Sequence, residues 1–152
     1  MASKILWAAE SVATLLTTEL DNMANAATVI DGADYDNATN LFQQADFLLH
    51  LIDFDAPPTA GGYFELHIIY KLDGTLYGDG DDGALSVPVL SAATMVGIFP
   101  VDVTDGPQHI QCIGVPLSPF AFRVAVKNMC GQALTDVSTH WLKICPYNAE
   151  SQ

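Results

Sequence analysis

Between Tyr63 and Leu72 the chain alternates, with Phe64, Leu66, Ile68, Tyr70 and Leu72 on one side and Tyr63, Glu65, His67, Ile69 and Lys71 on the other. A side-chain period of two is that of a strand with one face in a core. The run leads into Asp73-Gly74 and then Thr75-Leu76-Tyr77. Because Asp-Gly tolerates positive φ at both central turn positions, the pattern predicts a tight hairpin there. Phe120 to Lys127 alternates most cleanly, with Phe120, Phe122, Val124 and Val126 opposite Ala121, Arg123, Ala125 and Lys127. It predicts a core strand that ends in a turn over Asn128 to Gly131.

Ala45 to Phe54 is apolar at Phe47, Leu48, Leu49, Leu51, Ile52 and Phe54 and is closed by Asp55-Ala56-Pro57-Pro58. A nearly continuous apolar run bounded by prolines predicts a strand buried on both faces. Thr94 to Val103, interrupted at Pro100, and Gln108 to Val115, after the turn Asp105-Gly106-Pro107, predict two more strands. Ser138 to Tyr147 predicts a last one, with Leu142 and Ile144 inward, Thr139, Trp141 and Lys143 outward, and Pro146 as its stop. Near the start, Leu16, Leu20 and Met23 have helical spacing, whereas Leu16, Thr18 and Leu20 alternate and Thr14, Thr17 and Thr18 favour strands. The reading adopted is an extended N-terminal arm, Met1 to about Asn25, that runs into a first strand.

From Ala45 onward, short strands follow one another with no helix to carry a parallel crossover, so the sheets should be antiparallel. The expected fold is an all-β, antiparallel β-sandwich of one domain, residues 26–152, with jelly-roll topology as one candidate arrangement and with the arm at its N-terminus. A chain of 152 residues, half of them hydrophobic and only 15% charged, has the apolar surface for one sizeable core.

Eighteen acidic against five basic residues give a formal net charge of −13. Binding to nucleic acid relies on Lys and Arg displacing counterions, so direct contact with DNA or RNA is not expected. Anionic membranes are set aside for the same reason, and no apolar run reaches the roughly 20 residues of a membrane span. Glu10 interrupts the apolar stretch from Ile5, which argues against a secretory leader. The three cysteines, Cys112, Cys130 and Cys145, are widely spaced and odd in number. They are expected as reduced, buried thiols, consistent with folding in a reducing cytoplasm.

Candidate chemistry is sparse. Asp79-Gly80-Asp81-Asp82-Gly83 is acidic enough for a Ca²⁺ loop, but counting Asp79 as position one puts Leu90 where the twelfth-position Glu belongs. It is read as a solvated loop. His50, His67, His109 and His140 form no HxH or HxxxH pattern, so no zinc site is expected. Cys130, Asp136 and His140 contain the residue types of a thiol nucleophile, its base and an orienting acid, without any flanking signature. Phosphate loops, nucleophile elbows and HExxH helices are absent from the sequence. No enzyme activity and no cofactor are expected. The aromatic residues Trp7, Trp141, Tyr63, Tyr70, Tyr77 and Tyr147 are candidates for a glycan-stacking face or for anchors on a neighbouring subunit.

Several segments together resemble a family of small virion structural proteins of tailed double-stranded DNA phages, including cyanophages. They are Leu16 to Asn25, Ala45-Asp46-Phe47-Leu48-Leu49, Pro58-Thr59-Ala60-Gly61, Tyr70 to Gly80, Val115 to Phe120, and Leu142 to Asn148. The likeness runs over most of the chain and is carried by structural motifs, chiefly an aromatic strand followed by Leu72-Asp73-Gly74-Thr75-Leu76-Tyr77 and Asp79-Gly80. The chain departs from the family at Ile144-Cys145, where members often carry an arginine. The resemblance implies a head decoration, or cement, protein on the virion capsid surface, bound to the major capsid protein as a homo-oligomer, by analogy a trimer. Ile5, Leu6, Trp7, Trp141 and Tyr147 are the residues expected to bind the partner. A tail, baseplate or fibre structural module, with glycan binding as one role for it, is the alternative.

Overall fold

The computed structural model describes residues 5–9, 12–74, 77–78, 90 and 92–151. Among the described residues, nine strands form two antiparallel sheets: β1 (Ile5–Ala9), β2 (Ala13–Leu16), β3 (Thr28–Ile30), β4 (Gln44–Leu51), β5 (Tyr63–Tyr70), β6 (Met95–Pro100), β7 (Gln108–Pro116), β8 (Phe122–Asn128) and β9 (Trp141–Ser151). Sheet A has the order β1-β9-β4-β7, with β2 also on β9, and sheet B the order β3-β8-β5-β6. Helix is confined, among the described residues, to one turn at Asn37–Asn40 and a 3-10 turn at Thr18–Leu20.

The pairings are nested. β5 pairs with β6, β4 with β7, β3 with β8, and β2 and β1 with β9, all antiparallel. One long ribbon, folded back at the β5–β6 connection, thus accounts for four sets of pairs. Rolling that ribbon over itself adds the β9–β4 and β8–β5 pairs that complete each sheet. This is a jelly roll, with β1 and β2 sharing one edge position.

Between the sheets lie the inward halves of the alternating strands. Phe47, Leu49 and Leu51 of β4 and Leu142 and Ile144 of β9 meet Phe64, Leu66 and Ile68 of β5 and Phe122, Val124 and Val126 of β8, all buried. Phe99 closes the same core from β6. Removing each such side chain from water stabilises the fold by about 1.5–3 kcal/mol before the entropy of ordering is charged against it.

Three expectations are corrected. β4 is buried on one face only, with Asp46, Leu48 and His50 half-exposed, because no described element layers over the outer side of sheet A there. β5 pairs with β6 and with β8. Gly74 adopts positive φ, and Thr75 and Leu76, where the second strand of the expected hairpin would begin, lie outside the described residues. Tyr77, however, folds down onto the outer face of sheet B with Ile30, Ile69, Ala125 and Leu90, forming a second small core. Phe120 precedes β8 and is exposed, since the chain is still turning after Pro119. Pro146 does not stop the last strand, which pairs through it to Ser151.

The stretch to Asn25 is joined to the sandwich over its described residues. β1 and β2 lie on β9, and Leu16, Leu20 and Met23 are buried in the core. The buried Asn128 side chain ties this segment to the turn after β8, donating from Nδ2 to the Met23 and Gln132 carbonyls.

Candidate functional site

The outer face of sheet A carries two of the sequence-predicted partner residues, Trp141 and Tyr147. β9 turns Trp141, Lys143, Cys145 and Tyr147 outward while Leu142 and Ile144 point to the core. In register across β4 and β7, Trp141 lies beside His50, and His50 beside His109. Their rings form a row. His50 stacks on His109 at 4.1 Å between centroids and lies 4.8 Å from Trp141. Lys143 Nζ stands 4.2 Å over the Trp141 ring, a cation–π contact that occupies part of the indole surface. His50 Nδ1 is shielded from solvent and has no hydrogen-bond partner within reach among the described residues. Burial, then the neighbouring His109, hold the His50 imidazole below its ordinary pKa.

One row along, a shallow cavity of about 190 Å³ is lined by Val12, Asp46, Leu48, Gln111, Lys143 and Cys145. Asp46 accepts the Gly114 N–H at 2.8 Å and the Tyr147 hydroxyl at 3.2 Å. Burial and the Asp46 charge push the Tyr147 hydroxyl above its ordinary value, so it stays a donor at neutral pH.

The other three partner residues, Ile5, Leu6 and Trp7, lie on β1 and pair with Ser151, Glu150 and Ala149 of β9. Tyr147 adjoins them through its pairing with Ala9. Trp141 is six residues away, about 20 Å along an extended strand. The fold therefore gathers four of the five at one end of β9 and places Trp141 at the other. Beyond Tyr147 the ladder with β4 ends, and among the described residues Ala149 to Ser151 have β1 as their sole strand partner.

The remaining candidates have structural roles. His140 is buried with both ring nitrogens on backbone: Nδ1 accepts the Ile52 N–H at 3.1 Å, and Nε2 donates to the Thr135 carbonyl at 3.1 Å. An imidazole so occupied cannot serve as a base for Cys130. The Cys130 thiol is buried and donates to the Gln132 carbonyl, and burial pushes it above the ordinary thiol range, as it does Cys112. All three cysteines are free thiols. His67 sits between Thr94 Oγ1 at 3.0 Å and Glu65 at 3.2 Å. Among the described residues no group of three His, Cys, Asp or Glu is placed to hold a metal, and the Asp79–Gly83 loop lies outside them. No helix among them is long and apolar enough to cross a membrane.

Tyr77 belongs to a cluster that the sequence pattern does not reveal. Its hydroxyl donates to Asp34, which also receives Arg123 Nε at 3.0 Å and Lys71 Nζ at 3.2 Å. The Arg123 guanidinium lies 4.3 Å from the Tyr77 ring centroid. Burial alone would raise the Asp34 carboxyl, but the bonds from Tyr77, Lys71 and Arg123 outweigh it and hold the pKa below its ordinary value. The cluster pins the start of the β5–β6 connection to sheet B.

No family model and no curated protein matches the chain. Among solved structures, a carbohydrate-binding module, CBM36, in complex with calcium and xylotriose, is similar over 100% of both chains, at 12% identity and a TM-score of 0.39. That likeness extends to no ligand, metal or residue of this chain.

Proposed function

We propose that this chain is a non-enzymatic structural protein of a tailed-phage particle, a head decoration protein that binds the major capsid protein and stabilises the mature capsid. The observation that carries the reading is the ribbon formed by β1 and the end of β9. Over Ala149 to Ser151 its β9 strand lacks any second partner among the described residues. Unpaired N–H and C=O groups in extended register are a template for an added strand from another protein. The ribbon holds Ile5, Leu6 and Trp7 next to Tyr147, and the family resemblance of the sequence points to the same role. On a shell of many copies, contacts of modest affinity between tethered subunits add to a stable whole through high effective concentration.

The test is co-sedimentation with purified, expanded capsids. Deleting residues 1–9 removes the ribbon and spares Leu16, Leu20 and Met23, whose loss in a longer truncation would open the core. The full chain is expected to sediment with capsids and the shortened chain to lose most of that binding. A full chain that ignores capsids overturns the reading, and a shortened chain that binds equally well removes the ribbon from it.

The row of Trp141, His50 and His109 favours a second reading, a glycan-binding module of a tail, baseplate or fibre. Polysaccharide retention that disappears in Trp141→Ala, without affinity for capsids, would establish it in place of the first.

A further inference from the structure

Three strands bring His50, His109 and Trp141 into one outward row of sheet A, and His50 is its middle ring. The His50 centroid lies 4.1 Å from that of His109, in a stacked pair, and 4.8 Å from that of Trp141. His109 and Trp141 meet edge-on at 6.3 Å. His109 is exposed on β7, whereas His50 is half-buried between its neighbours. No described element covers this face, so the His109 ring can turn away without opening the core.

Whether the pair stays stacked depends on how many protons it holds. Neutral imidazoles stack, and one imidazolium stacks on a neutral ring as a cation on a π face. Two imidazolium ions at this separation repel each other. The His50 Nδ1 is shielded from water with no hydrogen-bond partner among the described residues, so a proton there is unsatisfied until the stack opens.

The surroundings do little to offset a second charge. From β9, Lys143 adds another cation, its Nζ 4.2 Å over the Trp141 ring. Just before β9, His140 has both ring nitrogens engaged by backbone, and Asp21 and Asp53 act on it. β7 contains no Asp, Glu, Lys or Arg. In the segment before it, Asp102 accepts the Val103 N–H and Asp105 the Phe54 N–H. On β4, Asp46 is four residues along the strand, roughly 14 Å. It already accepts the Gly114 N–H and the Tyr147 hydroxyl. Burial, then His109, oppose a charge on His50, as do His140 and Lys143, against the backbone of Gln108, which favours it.

We propose that the His50–His109 stack is an acid-operated latch: a second proton on the pair drives the His109 ring off His50 and uncovers the middle of the row, including the indole of Trp141. With both imidazoles neutral, this face is an aromatic strip beside Lys143. With both charged, it is a cluster of three cations in a chain whose net charge is −13 with neutral histidines. A partner seated on the strip meets a different surface in mild acid. The latch does not depend on capsid binding, so either can fail without the other.

NMR of the isotope-labelled full chain tests it between about pH 7.5 and about 5, the range in which imidazoles titrate. The His50 and His109 ring protons should titrate as a coupled pair in two steps. A nuclear Overhauser contact between the two rings, present at the neutral end, should be lost with the second step, and the Trp141 indole signals should shift with it. Amide signals of β5 and β8 should stay in place throughout. In His109→Gln the His50 midpoint should move up, and in both His109→Gln and His50→Gln the two steps should become one. Rings that titrate independently, each unmoved by loss of the other, overturn the proposal. So does a ring contact that persists with both imidazoles charged, a Trp141 signal constant through both steps, or unfolding of the whole sandwich in place of a local change.

Discussion

Gly97 of β6 and Cys112 of β7 meet so closely that a Cβ built on the glycine would collide with the cysteine sulfur. Here strands that end the two sheets, among the described residues, converge, and the missing side chain sets how near they come. Ile98 and Ile113 are carried on the same two strands.

Gly97→Ala is therefore expected to destabilise the fold by about 1–3 kcal/mol, the usual cost of overpacking a tight site. Cys112→Ala in the same chain should recover much of that loss, since it removes the atom that is struck. A double-mutant cycle by urea unfolding measures the coupling. Additive effects would mean that the two strands do not meet here.

Asp34 gathers Tyr77, Arg123 and Lys71 over sheet B. Asp34→Ala should cost about 2 kcal/mol, the range for hydrogen bonds to a charged group, reduced because the carboxylate is partly exposed and solvent screens it. The same substitution should make the β5–β6 connection an early site of proteolysis while the sandwich stays folded. Limited digestion with mass spectrometry reads this directly, and an unchanged cleavage pattern would separate Asp34 from the anchoring of the connection.

Two histidines set a response to acid. Burial comes first in holding both His50 and His140 below their ordinary pKa, so in each case the folded state binds fewer protons than the unfolded chain. Their contribution to stability is complete above the unfolded value of about 6.5 and is lost as pH falls toward the lowered folded values. Thermal midpoints should therefore fall as the pH drops from about 7.5 to about 5. His50→Gln should flatten part of this slope. Asp34 titrates separately: its lowered pKa adds stability above the ordinary carboxylate range that is lost in stronger acid. Midpoints that rise between pH 7.5 and 5 would contradict the assignment.

The raised pKa and complete burial of Cys130 predict slow chemistry. In the native protein at mildly alkaline pH, Cys130 should resist a disulfide-exchange reagent, while all three thiols react in denaturant. Peptide mapping after timed labelling distinguishes them. Rapid native labelling of Cys130 would show an open path to it.

Much of the architecture was written in local pattern. The alternation of Phe64, Leu66 and Ile68, and of Phe122, Val124 and Val126, specifies both strands and their buried faces. Ile69 and Arg123 show where that pattern stops being sufficient: each sits on the side opposite the core, and each is buried by the Tyr77 connection and its neighbours. The row of Trp141, His50 and His109 was equally hidden, because each residue alone is only an outward position on its own strand.

Strands, turns and the absence of long helices follow from the sequence, since side-chain alternation and the stereochemistry of Gly and Pro act over a few residues. Which strands become neighbours does not. Ile5 lies against Ser151, Thr28 against Lys127 and Gln44 against Pro116, and these nested partners turn a sandwich into a jelly roll. An amphipathic strand can lie beside many others, and its own residues are alike in each case. Only closure of the common core selects one set of neighbours, and with it the edges and outer faces left for a partner.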